Sequence, residues 1–444
     1  MSHDLVVRGG TLVDGSGRPR YRGDVGIDGD TVTALGRVDG RGTVEIDAEG
    51  CMVAPGFVDG HTHMDAQVHW DPLATCPSLH GVTSLVMGNC GFTLAPCRAT
   101  EIDLVLRSLE RAEDIAREAM LAGIEWAWET FPEFLDHLER LPKAVNYAGY
   151  VGHSALRTYV MGERAYEGPA TEEDLAAMAA QLRQSVLAGA VGLSTSCSSN
   201  HETADDRPVA SRLADWSELV ALVGVLTELD AGVFQLAPAR TADALEHDRF
   251  AERLEALAVD CGRPVTFMVG GDGRLLDLLD RVADRGGELI GQVHSREYLN
   301  VMGFAVGLPF DRLAGWAELR ARPLAEQAAA LADPDRRARL VDEALHGSYG
   351  RQVGPVRAPT YDQIRVFDSP DGPYTTVGQL AQARGTTPVD VMIDLSVASG
   401  FEQLFAQPIM GSTMEDALTG LRHPHTVVAA SDSGAHVTQI VDSS

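Results

Sequence analysis

Residues 53–65 read Val-Ala-Pro-Gly-Phe-Val-Asp-Gly-His-Thr-His-Met-Asp, and this stretch decides the fold. Pro55 and Gly56 interrupt the chain just before a short apolar segment, which predicts a turn followed by a β-strand. His61 and His63 stand two residues apart at the end of that strand, and side chains with this spacing project from the same face of an extended chain. Neutral imidazole binds zinc and related transition metals. The stretch therefore predicts a strand that presents two metal ligands at its carboxyl end.

From about residue 55 onward, short apolar segments alternate with helical stretches, which is the rhythm of parallel βα units. Strands are predicted near residues 56–61, 82–88, 145–151, 190–195, 232–237, 264–269, 288–294 and 426–431. Helical insertions rich in Ala, Leu, Glu and Arg are predicted near 100–142 and 310–347. The predicted fold class is α/β, a (β/α)8 TIM-like barrel over 55–444. Residues 1–54 instead alternate apolar and polar residues between Gly and Asp turns, which predicts a small unit of short strands.

Five segments carry motifs in a fixed order along the chain: 53–65, 81–92, 151–162, 192–196 and 430–436. The first resembles the barrel entrance of the amidohydrolase superfamily. The others, such as Gly-Asn-Cys-Gly at 88–91 and Ser-Asp-Ser-Gly-Ala-His at 431–436, are similar to segments of the D-aminoacylase, or N-acyl-D-amino-acid deacylase, branch. The resemblance implies that residues 1–54 form part of a β-sandwich. It also implies hydrolysis of an amide C–N bond, in a linear N-acyl-D-amino acid or related amide, by metal-activated water.

The resemblance also implies a metal site at the carboxyl ends of the strands, where the loops of such a barrel converge. His61 and His63 follow the first strand, Cys90 the second and Asp432 the eighth, and we expect these four to bind one or two divalent ions, with Zn²⁺ as the expected metal. Asp432 is the expected catalytic acid/base, because a carboxylate beside a divalent cation can take a proton from water and pass it to the leaving amine. Asp65 lies close enough in sequence to support a ligating histidine.

Lysine usage constrains the site further. Lys143 is the only lysine of the chain, and it precedes the third predicted strand. Many binuclear amidohydrolases bridge their metals with a carboxylated lysine on the fourth strand, so such a bridge is not expected here. In the deacylase branch a cysteine after the second strand takes this place, and Cys90 matches it.

The chain departs from the branch at two strands. There the fifth and sixth strands each end with a metal-binding histidine, but the corresponding stretches here, 232–238 and 264–270, contain none. The remaining candidate ligands are His153, His201 and His294. For substrate binding, Arg157 and Arg296 follow predicted strands and could hold a carboxylate, and Gln235 could offer an amide oxygen.

Two alternatives to a linear amide hydrolase stay open. The same barrel could act on a cyclic amide or imide, because this fold supports many chemistries through its loops. It could also be a degenerate barrel that binds a ligand without turnover, since two expected histidines are missing. Activity screening over both substrate classes would separate these readings.

The composition of the chain indicates which kinds of partner it can bind and in which compartment it is expected. The formal net charge of −28 disfavours nucleic acid and anionic membranes as partners. Six scattered cysteines without framework spacing, together with the absence of a leader-like or membrane-spanning apolar run, favour a cytoplasmic protein with reduced thiols. The chain ends about a dozen residues after the eighth predicted strand, so we expect exposed apolar surface, explained by a fragment or by a partner such as a second copy.

Overall fold

The computed structural model describes residues 2–239, 243–270, 272–349, 358–369, 372–408, 413–436 and 440–442. Two compact units are distinguished by their internal contacts. The first comprises Met1–Phe57 and Gly81–Thr83, and the second comprises Val58–His80 and Ser84–Ser444.

The N-terminal unit is built on a five-stranded sheet. Its strands are β1 His3–Leu12, β2 Tyr21–Asp28, β3 Thr31–Gly36, β4 Gly42–Asp47 and β5 Met52–Val53, in the order β3-β2-β1-β4 with β5 also paired to β1. Strand β1 pairs antiparallel with β2 and parallel with β4 and β5. Val6 and Leu12 are buried, whereas Val32, Leu35 and Val44 are about half exposed. The short strands predicted for this region are therefore present, and their assembly with a second sheet into a sandwich stays a prediction.

Eight parallel strands form the sheet of the second unit, a nearly closed barrel. They are β6 Phe57–Asp59, β7 Val82–Met87, β8 Asn146–Gly152, β9 Gly192–Ser196, β10 Val233–Ala237, β11 Val265–Met268, β12 Leu289–Val293 and β16 Thr426–Val428. Beyond the last strand, the backbone N–H of Asp432 donates to His61 O (3.2 Å), and that of His63 donates to Ser433 O (2.8 Å). These bonds join the ends of the eighth and first strands. The predicted fold class is confirmed, and each predicted barrel strand overlaps an observed one.

Buried residues run almost continuously along the middle strands, as expected when both faces of a parallel sheet are covered. Helices cover the barrel in the described residues between strands: α1 Met64–Gln67, α2 Thr75–Leu79, α6 His153–Met161, α7 Glu172–Ala188, α8 Trp216–Leu229, α9 Ala244–Asp260, α10 Gly273–Asp284 and α16 Met414–Arg422. Short 3₁₀ turns lie at Asn89–Gly91, Gly162–Tyr166 and Ala210–Leu213. No helix in the described part of the chain is both long and apolar enough to span a bilayer.

Two groups of helices lie between barrel strands, in the second and seventh connections. The first contains α3 Ile102–Ala112, α4 Arg117–Gly123 and α5 Phe131–Glu139, and the second contains α11 Ala314–Arg320, α12 Leu324–Ala332 and α13 Pro334–His346. The first insertion reaches the candidate site through Glu113, the residue after α3, whose carboxylate contacts His63.

The second insertion packs into a separate hydrophobic core that the sequence did not indicate. It is shared with α14 Val377–Arg384, α15 Pro388–Ala398 and an antiparallel sheet of β13 Leu299–Met302, β14 Arg365–Phe367, β15 Leu404–Pro408 and β17 Ile440–Asp442. The fully buried Trp316 lies in this core, and its indole N–H donates to Leu340 O (2.8 Å).

Candidate metal centre

Five buried or nearly buried side chains converge at the carboxyl ends of the first, second and eighth strands. We call them the metal-ligand cluster: His61, His63, Cys90, Glu113 and Asp432. The Nε2 atom of His61 lies 3.4 Å from Cys90 Sγ and 3.3 Å from Asp432 Oδ1. The Nε2 atom of His63 lies 3.6 Å from Asp432 Oδ1 and 3.3 Å from Glu113 Oε2. The ligand atoms of the two histidines and the cysteine all lie within 4.8 Å of one another.

Unusual backbone conformations aim two of these side chains into the cluster. Cys90 has φ 56° and Asp432 has φ 55°, which places both in the left-handed region that non-glycine residues rarely adopt. Such strain concentrates at functional sites because the surrounding structure must hold it. Gly434, with φ 94°, permits the turn after Asp432, because an added Cβ would lie 2.4 Å from His63 O.

Hydrogen bonds outside the cluster fix its members in place. His61 Nδ1 is 2.7 Å from Gln292 Oε1, so the Nδ1–H donates to Gln292 and Nε2 faces the cluster. This is the arrangement in which metal-binding histidines are oriented by a second hydrogen bond. The Cys90 backbone N–H donates to Gln235 Oε1 (2.8 Å) and thereby holds the cysteine turn. Asp65, expected to support a histidine, instead accepts the Gly88 N–H (2.9 Å), and burial raises its pKa to about 7.

The cluster is electrostatically coupled. Burial opposes the charged form of His61, but Cys90 and Asp432 outweigh it and raise the pKa of His61 to about 9. Burial likewise opposes ionisation of the Cys90 thiol, yet the two histidines bring its pKa below the ordinary value. The pKa of Asp432 is held far below its usual range by His63 and His61, against the effect of burial. The pKa shifts of the cysteine and the aspartate are thus both directed toward the deprotonated forms that bind metals.

The donor set and its spacing fit a metal ion such as zinc. Ligand atoms 2.0–2.3 Å from a tetrahedral zinc are separated by about 3.3 to 3.8 Å, and the cluster distances quoted above fall in that range. Asp432 Oδ1, Glu113 Oε1 and His63 Nδ1 are buried and have no partner with hydrogen-bond geometry among the described residues. Buried polar atoms without partners are costly, and a cation would compensate the carboxylate oxygens. Imidazole, thiolate and carboxylate are all established zinc ligands.

His294 lies at the edge of the cluster. It is buried, and neither ring nitrogen has a hydrogen-bond partner among the described residues. Its ring stacks on Tyr298 with centroids 4.5 Å apart, and the Tyr298 hydroxyl donates to Asp432 Oδ2 (3.5 Å). Burial lowers the pKa of His294, although Asp432 opposes this shift. A neutral imidazole is therefore favoured next to the expected acid/base.

His153 and Arg157 belong to a second buried group, which we call the arginine cluster: His153, Arg157 and Glu218. Glu218 Oε1 accepts from His153 Nε2 (2.8 Å) and from Arg157 Nη1 (2.7 Å), and its Oε2 also accepts from Arg157 Nη1 (2.6 Å). His153 Nδ1 bonds the Thr195 hydroxyl (2.9 Å), and Arg157 Nη2 donates to Gly168 O (2.6 Å). His153 and Arg157 are thus both hydrogen-bonded to other groups of the protein. Their predicted roles, as a metal ligand and as a substrate-binding residue, stay predictions.

The remaining candidates are dispersed. His201 Nδ1 bonds Ser196 Oγ (2.7 Å), and its ring lies 5.2 Å from Phe92, whose ring lies 6.5 Å from His63. Arg296 is half-buried in the loop after the seventh barrel strand. Gln235 is fully buried, and its carbonyl is occupied by the cysteine turn. The predicted role of these three in binding metal or substrate stays a prediction.

Sequence reasoning did not identify Glu113, Gln292 or Glu218. A signal for Glu113 was available, because it stands four residues after the buried Leu109 and so continues the apolar stripe of α3 as a carboxylate. Gln292 occupies the strand position that points inward two residues before His294. Glu218 carried no comparable local signal.

Comparison with known proteins identifies the family. A model of the Amidohydrolase family matches residues 44–442. The chain is 38% identical to D-aminoacylase of Alcaligenes xylosoxydans xylosoxydans over 193 residues, which cover 43% of this chain and only 37% of that enzyme. It is 28% identical to an uncharacterised protein of Mycobacterium bovis over 472 residues, covering 98% of this chain and 74% of the relative.

A solved structure shares the fold. N-acyl-D-glutamate deacylase from Bordetella bronchiseptica, determined with zinc and a phosphonate inhibitor, is 22% identical with a TM-score of 0.59, over 97% of this chain and 76% of that one. At this identity the likeness establishes the architecture alone. The similarity to D-aminoacylase agrees with the branch that the motifs predicted. The match over residues 44–442 confirms the family: the chain belongs to the amidohydrolase family.

Proposed function

We propose that this protein is a metal-dependent hydrolase of an amide C–N bond, and that its substrate is a linear N-acyl-D-amino acid or a related amide. The observation that carries the proposal is the convergence of His61, His63, Cys90 and Asp432 at distances of 3.3–3.6 Å, with Asp432 Oδ1 buried and without a hydrogen-bond partner among the described residues. A purely structural polar cluster would close its own hydrogen bonds. A cluster that holds an ion keeps lone pairs for it.

The residues divide the chemistry between them. His61, His63, Cys90 and Asp432 would hold one or two divalent ions, with zinc as the best match to the donors. When bound, such an ion polarises the scissile carbonyl and acidifies water. Asp432 accepts a proton from the attacking water and returns it to the nitrogen of the leaving amine, so that the C–N bond breaks to give a carboxylate and an amine. Tyr298, whose hydroxyl donates to Asp432 Oδ2, positions that carboxylate.

The substrate class is supported by the similarity to D-aminoacylase, and a D-amino-acid product is proposed from that similarity alone. A free carboxylate on the substrate calls for a cationic group. The proposal gives this role to Arg296, which is half-buried in the loop after the seventh barrel strand. All six cysteines are free thiols, which supports a reducing compartment such as the cytoplasm.

The test has two steps on the purified full chain without a metal-chelating tag. Elemental analysis measures metal per chain in the wild type and in the His61→Ala/His63→Ala double variant. We expect at least one zinc per chain in the wild type and its loss in the variant. Absence of metal in the wild type after zinc is supplied would overturn the proposal in favour of a non-catalytic barrel.

The second step measures turnover with the zinc-loaded protein. Release of free amine is followed from N-acetyl derivatives of D- and L-amino acids with apolar and acidic side chains, and ring opening is followed with cyclic amides and imides. We expect hydrolysis of the D-series. If only the cyclic substrates were turned over, the proposed linear substrate would be wrong and the substrate would be a cyclic amide or imide. The proposed metal site would be unaffected by that result.

A further inference from the structure

The metal-ligand cluster contains a carboxylate that comes from an insertion rather than from a barrel strand. Glu113 follows α3 and is buried, with only 2% of its surface exposed. Its Oε2 lies 3.3 Å from His63 Nε2, while Oε1 has no hydrogen-bond partner among the described residues. This oxygen is therefore enclosed in the site and still able to bind a ligand.

We infer that Glu113 is a metal ligand of this chain, and that it supplies a donor in place of those absent from the ends of the fifth and sixth strands. This inference rests on the proposed function, since it concerns the same ion. The distance from Glu113 to His63 matches the separation of about 3.3 to 3.8 Å between two ligands of one zinc ion.

Three other buried carboxylates of this protein pair with arginine, whereas the buried Asp65 accepts a backbone N–H from Gly88. Glu218 is bonded by Arg157, Glu202 pairs with Arg111 (3.2 Å), and Asp174 pairs with Arg164 (2.7 Å). Within the described residues, no ion pair joins Glu113 to an arginine or to the single lysine. Its ion-pair partner among the described residues is His63 (3.3 Å), whose imidazole must be neutral to bind a metal, so a bound ion would supply the positive charge in its place.

The position of Glu113 on its helix strengthens this requirement. It is the C-terminal cap of α3, where the exposed carbonyl groups carry partial negative charge and disfavour an acidic side chain. A cation bound on the side that faces the cluster would compensate a carboxylate at this place.

The backbone at Glu113 is also connected to the loop of the expected acid/base. The Glu113 carbonyl accepts the backbone N–H of His436 (2.6 Å), four residues after Asp432. The insertion and the eighth-strand loop are thus joined by a direct hydrogen bond next to the cluster. Both carboxylates reach His63 from these joined segments.

The experiment measures zinc affinity by competition with a chromogenic chelator, for the wild type, Glu113→Gln and Glu110→Gln. Glu110 lies on the same helix and serves as the matched control, because it is only half-buried and lies outside the cluster. We expect the Glu113→Gln protein to bind zinc about a hundredfold more weakly, and the control to match the wild type. Equal affinity in Glu113→Gln and wild type would overturn the inference and leave the proposed function standing. A wild type that binds no zinc would overturn both.

A measurement on the wild type makes the test independent of how the variant folds. Crystals grown with zinc are examined by anomalous diffraction at the zinc absorption edge. We expect a Glu113 carboxylate oxygen about 2.0 to 2.2 Å from the ion. An ion held by His61, His63 and Asp432 with Glu113 outside bonding distance would reject the inference.

Discussion

The two buried charged clusters of the barrel differ in what their polar atoms do. In the arginine cluster, Glu218 accepts three hydrogen bonds of 2.6–2.8 Å from His153 and Arg157. In the metal-ligand cluster, Asp432 approaches two histidines at 3.3 and 3.6 Å without hydrogen-bond geometry. The carboxylate of the first group is saturated by its neighbours, although Arg157 Nε has no hydrogen-bond partner among the described residues. The carboxylate of the second group keeps an oxygen without such a partner, at a distance from the histidines that suits shared metal ligands. The two clusters are alike in burial and in the kinds of charged group they contain. They differ in the distances and the geometry of the contacts between their polar atoms.

The clusters should therefore respond differently to the loss of one carboxylate. In the arginine cluster the lost partner leaves a buried guanidinium uncompensated, so the main cost falls on folding. In the metal-ligand cluster other donors remain around the ion, so the main cost falls on chemistry. Measuring stability and activity on matched variants tests this contrast.

The largest effect is expected for Asp432→Asn. The amide keeps the size of the side chain but cannot accept the proton of the attacking water, so turnover should fall about a thousandfold. Metal content per chain should stay at the wild-type value, because four donors remain. Amine release and elemental analysis measure the two quantities on one preparation.

Asp280→Asn is the control for Asp432→Asn. Asp280 is a half-exposed aspartate that lies 3.3 Å from His423 on the protein surface, away from the cluster. Its turnover should equal that of the wild type. Unchanged turnover in Asp432→Asn would remove this residue from the mechanism.

Glu218→Gln should instead destabilise the fold. The neutral side chain leaves the fully buried Arg157 without its counter-ion, and breaking a buried pair in this way costs about 3 to 5 kcal/mol. Urea unfolding followed by circular dichroism measures the loss. Zinc content of the folded fraction should not change.

Glu228→Gln provides the comparison on the same helix. Glu228 is 65% exposed and pairs with Arg183, so its loss should change the free energy of unfolding by less than about 1 kcal/mol. Equal stability of Glu218→Gln and Glu228→Gln would contradict the view that the arginine cluster is held by its ion pair.

The same contrast explains what the sequence could predict. The barrel strands were found because each is a short apolar run bounded by turn residues, and His61 and His63 because spacing of two residues on a strand fixes a shared face. Cys90 and Asp432 followed from motif order along the chain. These signals are local, and the barrel brings them together at one edge.

Other features depend on contacts that leave no local signal. The pairing of β13 with β15 joins residues 299–302 to 405–408, about a hundred positions apart. Arg157 was predicted to bind substrate from its place after a strand, and its contact with Glu218, one turn into the helix, had no signal in the sequence. Glu113 lies among many acidic residues, and only its place on the buried face of α3 distinguishes it.

Cys90→Ser sharpens the assignment of the metal-ligand cluster. A hydroxyl is a much poorer zinc ligand than a thiolate, so zinc affinity should fall about a hundredfold. Cys197→Ser is the control, because this half-buried cysteine lies after the fourth barrel strand and outside the cluster. Chelator competition compares the two variants. Equal affinities would show that Cys90 is a packed thiol and not a ligand.

The smallest effect concerns His69, a histidine outside both clusters. Its ring stacks on Trp128 (5.1 Å) and also lies near Phe134 and His137, and its Nε2 is buried without a partner among the described residues. Burial, with a smaller contribution from the charge of His137, lowers the pKa of His69 to about 4. The folded protein therefore binds the proton less readily than the unfolded chain, whose histidine has a pKa near 6.5.

The stabilising contribution of neutral His69 is then fully present above about pH 6.5 and is lost as the pH falls toward 4. At pH 5 the resulting loss, relative to pH 7, is roughly 2 kcal/mol. His69→Phe should abolish this part of the pH dependence, and His80→Phe, at an exposed position, should retain it. Urea unfolding at both pH values measures the difference. If His69→Phe lost as much stability between pH 7 and pH 5 as the wild type, His69 would already be protonated in the folded protein at pH 5. The aromatic side chains around it would then not hold this histidine in its neutral form, in contrast to the fixed charges of the two clusters.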